Sequence, residues 1–486
     1  MSSIWDQTVA IPAYPALHQN ITADAAVIGG GIAGLLTASR LEAHGVKTVI
    51  LERDRILGGQ THNTTAKVTA QHGLCYHQLI QKRGVERAAQ YAAANLAAIR
   101  EYKRIIAGRN IQCQWEDLPS YLYTTADEEL LEKEAEAASR VGLENSLTTD
   151  TSLPFPVKAA LRFPAQAQFH PLLFIKALLP NLTIYEKTPV ASADSQTVSV
   201  PGASVQARHI IWACHYPFAR YPGFYFLRMH QERSYVLALR SAGQLDGMYY
   251  GVDGDGLSFR NSGSYLLLGG AGHRTGKRLD HDPYDELWQR AQSLYPQCER
   301  EAFWSAQDCM PLDGVPYIGR FSRTKPNWYV ATGFHKWGMT HSMTSAMILT
   351  DMILGKSPAW AEVFSPRRFS LKACGKTLRQ DSTVAVRSLG RQFLTRPKLT
   401  AEDLKPGQAG IVRHDGRKSA AFRDESGSLY IIPSKCPHLG CQLEWNPAER
   451  SWDCPCHGSR FDYTGALLDS PAKTNIGGYH DEFSRR

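Results

Sequence analysis

Asp24-Ala25-Ala26-Val27-Ile28-Gly29-Gly30-Gly31-Ile32-Ala33-Gly34 begins as a short buried strand and then breaks on three glycines. Helical periodicity follows over residues 32–44, through Leu35, Leu36, Ala38 and Leu41, and stops at Gly45. Val46 to Leu51 makes a second strand, closed by Glu52. The order has a physical logic. Gly29 permits the tight turn, Gly31 lets backbone approach a pyrophosphate, and Gly34 lets the helix lie on the strand. The helix N-terminus favours the phosphates, and Glu52 stands where it can accept from a ribose hydroxyl. An α/β domain that binds a dinucleotide, FAD or NAD, is the expectation.

A second motif lies near the other end. Cys436-Pro437-His438-Leu439-Gly440-Cys441 is followed, after an intervening stretch, by Cys454-Pro455-Cys456-His457-Gly458-Ser459. Thiolate and neutral imidazole suit both zinc and iron–sulfur sites. One tetrahedral zinc is chemically allowed, but zinc fingers usually pair C-x-x-C with H-x₃₋₅-H. Here each loop supplies one C-x-H or C-x-x-H set, so a two-iron cluster can take a matched pair at each iron. This stretch resembles the Rieske [2Fe–2S] family. The resemblance implies that Cys436 and Cys454 bind one iron, His438 and His457 bind the other, and Cys441–Cys456 is a disulfide tying the loops. Two nitrogen ligands raise the potential, and the family spans about −150 to +300 mV. Ser459 keeps the hydroxyl that typically reaches a cluster sulfide. High-potential members carry Tyr two residues later, where this chain has Phe461, which implies a potential below the top of that range.

The segments downstream of the first motif choose between the nucleotides. They are Arg53–Gly73, with Gly58-Gly59 and Thr64-Thr65-Ala66-Lys67; residues 182–214, which alternate like strands; and Trp328–Leu354, with Gly333-Phe334-His335-Lys336-Trp337-Gly338-Met339-Thr340 ahead of an apolar helix. Their order over about residues 4–365 is similar to FAD-dependent oxidoreductases of the D-amino acid oxidase type. That resemblance implies that Gly29, Gly31, Gly34 and Glu52 hold the ADP half, that Val190 contacts adenine through its backbone, and that Arg53, Thr65 and Gly333 also bind the cofactor. It also implies that the Gly338-Met339-Thr340 turn sets backbone N–H groups and a helix N-terminus near the flavin pyrimidine ring, where partial positive charge favours an anionic reduced flavin. Lys67, His335 and Lys336 are the candidate catalytic residues: a lysine stabilises a developing anion and a histidine takes a proton. His72, His273 and Arg274 are weaker candidates. His62 follows the glycine pair, where some relatives attach flavin covalently, but its register differs and no covalent bond is expected.

The expected fold class is α/β: an FAD-binding Rossmann-like domain with an interleaved α+β substrate domain, plus a small all-β Rieske domain. The FAD-dependent part occupies residues 1–365, with nucleotide-binding pieces at about 20–80, 160–220 and 310–365. Its substrate domain covers about 85–150 and 220–308, with helices at 86–107 and 127–141 and strands in 225–271. Residues 366–398 form a linker, and the stretch 376–393 is expected to be a basic helix lying on the flavin domain. The Rieske domain fills 399–486, with Ser470-Pro471-Ala472 as the loop over the cluster.

Composition narrows the function. Hydrophobic content of 43% and charge of 21% are ordinary globular values. The net charge of +8 is spread along the chain, so nucleic-acid binding is not expected; at most it favours an acidic redox partner. No apolar run reaches membrane length, and residues 1–20 do not read as a signal peptide. Six of the ten cysteines are scattered without framework spacing, which suits a reducing cytoplasm. The expected activity is oxidation of an amine, amino acid or related small molecule by FAD, with one-electron transfer to the cluster and on to an external acceptor protein. Two rivals are an O₂-using oxidase with a structural or regulatory cluster, and an electron-transfer module with no small substrate.

Overall fold

The computed structural model describes residues 3–219, 221–254, 256–368, 383–384, 386–393, 395–477 and 479–481. The glycine-rich stretch builds the centre of an eight-stranded sheet. Ile21–Ile28 lies between Thr48–Leu51 and Ala203–Trp212, parallel to both, with Val27 beside Ile50 and Ile28 beside Trp212. Thr183–Tyr185 extends one edge and Trp328–Thr332 then Tyr317–Arg320 extend the other. Ala25 to Ile28 and all of Thr48–Leu51 are buried, as strands covered on both faces must be. Helix Ile32–Glu42 packs against helix Gly338–Ile353 on one face of this sheet.

A nine-stranded sheet stands beside it, in the order Glu299–Pro311, Met229–Arg240, Tyr265–Arg274, Ser258–Ser262, Met248–Gly251, Glu116–Thr124, Ala159–Gln168, Lys67–Val68, with Ser146–Thr148 on the side. The helices expected at 86–107 and 127–141 run Val85–Arg109 and Glu129–Arg140. Strands Lys67–Val68 and Ala159–Gln168 join this second sheet, although the expected division put residues 20–80 and 160–220 with the nucleotide domain. The cause is pairing: Ala159–Gln168 runs antiparallel to Glu116–Thr124 along nearly its whole length, and Lys67 pairs with Gln168.

Residues 399–481 form two four-stranded antiparallel sheets, Ala409–His414, Arg417–Arg423, Leu429–Pro433 and Tyr479–Asp481, and Glu444–Asn446, Ser451–Asp453, Arg460–Asp462 and Leu467–Asp469. The first hairpin turns on Asp415 and Gly416, both left-handed (φ 49° and 71°), as an Asp-Gly two-residue turn requires. The predicted basic helix needs correction. Its described part, 386–393, lies on the Rieske domain and not on the flavin domain: Leu389 packs into the core of the cluster-bearing domain, Ser388 Oγ donates to Gln442 O (3.2 Å), and Arg391 pairs with Glu444 (2.9 Å). The apolar stripe is narrow, and the partners that fit it are supplied by the domain next in sequence. Residues 369–382, 385 and 394 of that stretch and linker lie outside the described residues. Among the described residues no helix is long and apolar enough to cross a membrane.

Candidate active site and cluster loops

One large cavity of about 1320 Å³ runs from the glycine-rich turn to the second sheet. Gly29, Gly31, Glu52, Arg53, Thr65 and Val190 line it, and so do Gly338, Met339, Lys67, His335 and Lys336. The glycines divide by task. At Gly29 (φ +111°) an added Cβ would sit 2.6 Å from Ala213 O, and at Gly34 it would sit 2.1 Å from Gly29 O. Both glycines therefore serve chain packing. At Gly31 the nearest atom would be Thr61 Oγ1 at 3.4 Å, which leaves an open cradle on the cavity side. The Glu52 carboxylate accepts from the N–H groups of Gly30 (2.8 Å) and Asp54 (2.9 Å). Burial nonetheless holds its carboxyl above the usual range, against those hydrogen bonds. The cavity's size, the open Gly31 face and the N-terminus of helix Gly338–Ile353 fit a dinucleotide with room for a substrate. Gly34, Gly333 and Thr340 stand behind the wall. The Thr340 hydroxyl donates to Thr69 O (2.8 Å) and accepts from Thr69 N–H (3.0 Å); a Cβ at Gly333 would meet Pro311 at 2.5 Å.

The candidate catalytic residues have three different environments. Lys67 is buried on its short strand and donates to Tyr249 O (3.1 Å) and to the Ser258 hydroxyl. Burial, then the charge of Arg260, brings its ammonium down to about 7. His335 has a left-handed backbone (φ 50°) and a buried Nε2 with no hydrogen-bond partner. Burial holds its imidazole down near about 4, although Glu232 opposes this, so the ring is neutral at pH 7. Lys336 is committed elsewhere: its ammonium donates to Ser234 Oγ (2.6 Å) and Asp308 Oδ2 (3.0 Å), with Glu232 at 3.7 Å. Burial would lower its pKa, but Asp308 and Glu232 raise it well above the ordinary value.

The weaker candidates separate as well. His72 lines the cavity, stacks on Trp337 (5.0 Å), and holds Tyr91 OH (2.7 Å) and Thr69 O (2.7 Å) on its two nitrogens. His273 also lines the cavity, bonded to Tyr235 OH (2.9 Å) and Arg274 O (2.9 Å). Arg274 faces away from substrate space: its guanidinium donates to Pro455 O (3.3 Å) and Cys456 O (3.4 Å) in a cluster loop. His62 spends Nδ1 on Leu57 O (2.9 Å).

At the other site, Cys441 and Cys456 form a disulfide, with Cα atoms 6.6 Å apart. The buried thiols of Cys436 and Cys454 act on each other, which lowers Cys436 and raises Cys454. The rings of His438 and His457 lie 4.9 Å apart, edge to face. Each loop folds back on itself, Gly440 N–H on Cys436 O (3.0 Å) and Gly458 N–H on Cys454 O (2.9 Å). Ser459 Oγ accepts from Ala472 N–H (3.0 Å), so the Ser470-Pro471-Ala472 loop is fastened to the loop that carries Cys454 and His457. Two buried thiols and two imidazoles carried by the same two loops match the donor set of a Rieske cluster. Phe461 is fully buried beneath them in the domain core.

The sequence reading did not find what joins the two sites. Gln60, on the cavity wall, accepts at Oε1 from Gln307 N–H (2.6 Å) and donates from Nε2 to Asp469 Oδ1 (3.1 Å). Gln307 Nε2 donates to Gln231 Oε1 (2.7 Å) and Gly458 O (2.8 Å). Gln231 Nε2 donates to His457 O (2.6 Å) and Ser470 O (2.9 Å). Beside this chain Arg233 binds both oxygens of Glu449, and Glu449 binds Arg460; both arginines are buried, and the Glu449 side chain is 7% exposed. Glu449, Arg460, Asp469 and Ser470 themselves line the cavity. Glutamines carry no motif, and the contacts of this chain cross between 76 and 409 residues of sequence, so no spacing could have announced them.

Comparison with known proteins identifies both parts of the chain. The family model for FAD dependent oxidoreductases matches residues 24–352, and that for the Rieske [2Fe-2S] domain matches residues 397–480. A protein of Bacillus subtilis (strain 168), named "Putative Rieske 2Fe-2S iron-sulfur protein YhfW", is 37% identical over 96% of this chain and 95% of its own length. Glycine oxidase from Geobacillus kaustophilus superimposes with a TM-score of 0.60 at 18% identity, over 72% of this chain and 99% of that one. L-proline dehydrogenase from P. horikoshii gives 0.60 at 16%, over 73% and 98%. At such identities these two likenesses are of fold. Two cofactors follow from the matched families, FAD in the first part and a [2Fe–2S] cluster in the second. The chain belongs to the FAD-dependent oxidoreductases of the D-amino acid oxidase type, and it carries a Rieske [2Fe–2S] domain behind the flavin fold.

Proposed function

We propose that this oxidoreductase removes two electrons from a small amine, amino acid or related molecule in the cavity, and that they leave one at a time through the Rieske domain to an external acceptor. FAD, when bound, supplies the two-electron acceptor, and the cluster supplies one-electron exchange. Of the residues expected to hold FAD, Gly29, Gly31, Glu52, Arg53, Thr65, Val190, Gly338 and Met339 line the cavity and would meet it, while Gly34, Gly333 and Thr340 support that wall from behind. Those expected to hold the cluster are Cys436, His438, Cys454 and His457.

The observation that carries this reading is the shared wall. The Rieske domain contributes Glu449, Arg460, Asp469 and Ser470 to the cavity, and a glutamine chain runs from that cavity to the peptide of the ligand His457. A cluster with a purely structural role would need no such link. The cavity itself speaks against an electron-transfer module with no substrate.

His335 is the group we assign to take a proton from the substrate at Nε2, since it is neutral and uncommitted. Lys67, poised near neutrality, stabilises negative charge that develops beside it. Lys336, tied to Asp308 and Glu232, positions this corner of the cavity.

The test is an anaerobic screen of amines and amino acids on the holoprotein, following flavin bleaching and the cluster's EPR signal together. A substrate should bleach the flavin and bring up the reduced-cluster signal in the same mixture. Bleaching with a persistently EPR-silent cluster would defeat the reading in favour of the oxidase.

A further inference from the structure

We propose that Tyr221, Phe224, Leu227 and Leu439 form the docking surface of an acidic one-electron carrier protein, and that Phe226 connects this surface to the two histidine ligands. The inference builds on the reading above, in which electrons leave singly from the Rieske site, and names the partner and the exit.

The geometry starts at the ligands. The Phe226 ring lies edge-to-face on both histidines, 5.9 Å from His438 and 5.8 Å from His457. Phe224 lies 6.1 Å from Phe226, and Tyr221 lies 5.1 Å from Phe224. Rings therefore step from the ligand pair outward in contact distances. The outer members are exposed to a degree unusual for their type: Tyr221 68%, Leu227 55% and Phe224 44%. Leu439, the residue after the ligand His438, is 42% exposed. Clustered exposure of large apolar side chains marks a contact surface.

Charge selects the partner. Residues 217–219, 221–231, 434–443 and 470–477 are the described segments that meet around this tip. In sequence these segments hold not one Asp or Glu, and their described cations are Arg228, which donates to Pro366 O (2.7 Å), and the two lysines Lys435 and Lys473. Lys435 and Lys473 are exposed, the former packed under Gly440 of the ligand loop and the latter over the Phe218 ring at 5.3 Å. An apolar centre with a basic border attracts an acidic partner and speeds its encounter. A second copy of this chain would bring the same cations face to face, which disfavours a self-made interface. At each encounter one electron passes. The carrier gains it, the cluster returns to its oxidised state, no bond forms and no proton moves; two encounters clear the two electrons of one substrate.

The test uses holoprotein reduced with dithionite, so it needs no substrate and stands apart from the outcome of the substrate screen. Stopped-flow re-oxidation is followed with an acidic blue-copper protein as probe and a basic c-type cytochrome as the charge-reversed control. The expected result is faster re-oxidation by the acidic probe, with a second-order rate that falls as ionic strength rises. Phe224→Ser combined with Leu227→Ser should lower that rate about tenfold with the cluster EPR signal unchanged. Phe226→Leu should lower the limiting rate at saturating probe and leave half-saturation in place, a split that a merely structural role would not produce. A wild-type rate in the double variant, a preference for the basic carrier, or a concentration-dependent dimer abolished by the double variant would each overturn the proposal.

Discussion

Gln231 donates from its side-chain amide to the backbone carbonyl of His457 at 2.6 Å, joining a strand of the flavin domain to a histidine of the cluster loop. The same amide accepts from Gln307 (2.7 Å), whose backbone N–H is held by Gln60 (2.6 Å) on the cavity wall. Every polar atom of this link is matched, so the loop is held at one distance from the cavity.

Gln231→Leu breaks the link and leaves the carbonyls of His457 and Ser470 without this donor. We expect a stability loss of roughly 1–3 kcal/mol and slower cluster reduction by substrate, with flavin reduction at the wild-type rate. Thermal unfolding and anaerobic stopped-flow with a reducing substrate measure the two effects. If the cluster fills at the wild-type rate, coupling does not run through this peptide.

Phe461→Tyr places a hydroxyl beneath the cluster loops, at a fully buried position in the domain core. A donor aimed at the sulfur ligands stabilises the reduced, more negative cluster. The potential from an EPR-monitored redox titration should rise. An unchanged potential would mean that this position does not reach the sulfurs.

Lys67 links pH to stability. Its folded-state pKa is lowered to about 7 by burial and by Arg260, while the unfolded chain protonates near 10.4. Between these values the unfolded chain holds the extra proton, so this group's contribution to stability rises with pH. The destabilisation is greatest below pH about 7, on the order of 4 kcal/mol, and fades toward about 10. Lys67→Met should therefore gain most over wild type at the acidic end of a Tm series, with the gap closing as pH rises. The rate of flavin reduction should also lose an ionisation near neutrality. A pH-independent gap would show that Lys67 is not the titrating group.

Arg233→Met removes one cation from the buried set formed with Glu449 and Arg460. Glu449 is held down to about 2, burial being outweighed by Arg233 and Arg460. Losing a partner in such a set costs about 3–5 kcal/mol. The variant should unfold at lower temperature, and limited proteolysis should release the Rieske domain earlier. Equal proteolysis profiles would show that these charges do not fasten the two domains.

Much was legible before any coordinates. Gly29, Gly31 and Gly34 announced a nucleotide fold because tight turns and close backbone approach exclude every side chain but hydrogen, and these demands act within a few residues. Cys436, His438, Cys454 and His457 announced a cluster because ligand chemistry is written in short spacings. The parts that stayed hidden are long-range. Strand Ala159–Gln168 moved to the second sheet because antiparallel partners distant in sequence claimed its edge. Helical residues 386–393 turned to the Rieske core because the complementary surface lay there. Arg274, read as a substrate residue, proved to hold a cluster loop. Above all, the sequence by itself determined which two cofactors the chain is built for, whereas only the tertiary structure decided that the Rieske domain supplies Glu449, Arg460, Asp469 and Ser470 to the cavity wall. Ligand sets are local, but Gln231, Gln307, Phe226 and Glu449 acquire their meaning from partners more than sixty residues away, brought near by packing that no local pattern encodes.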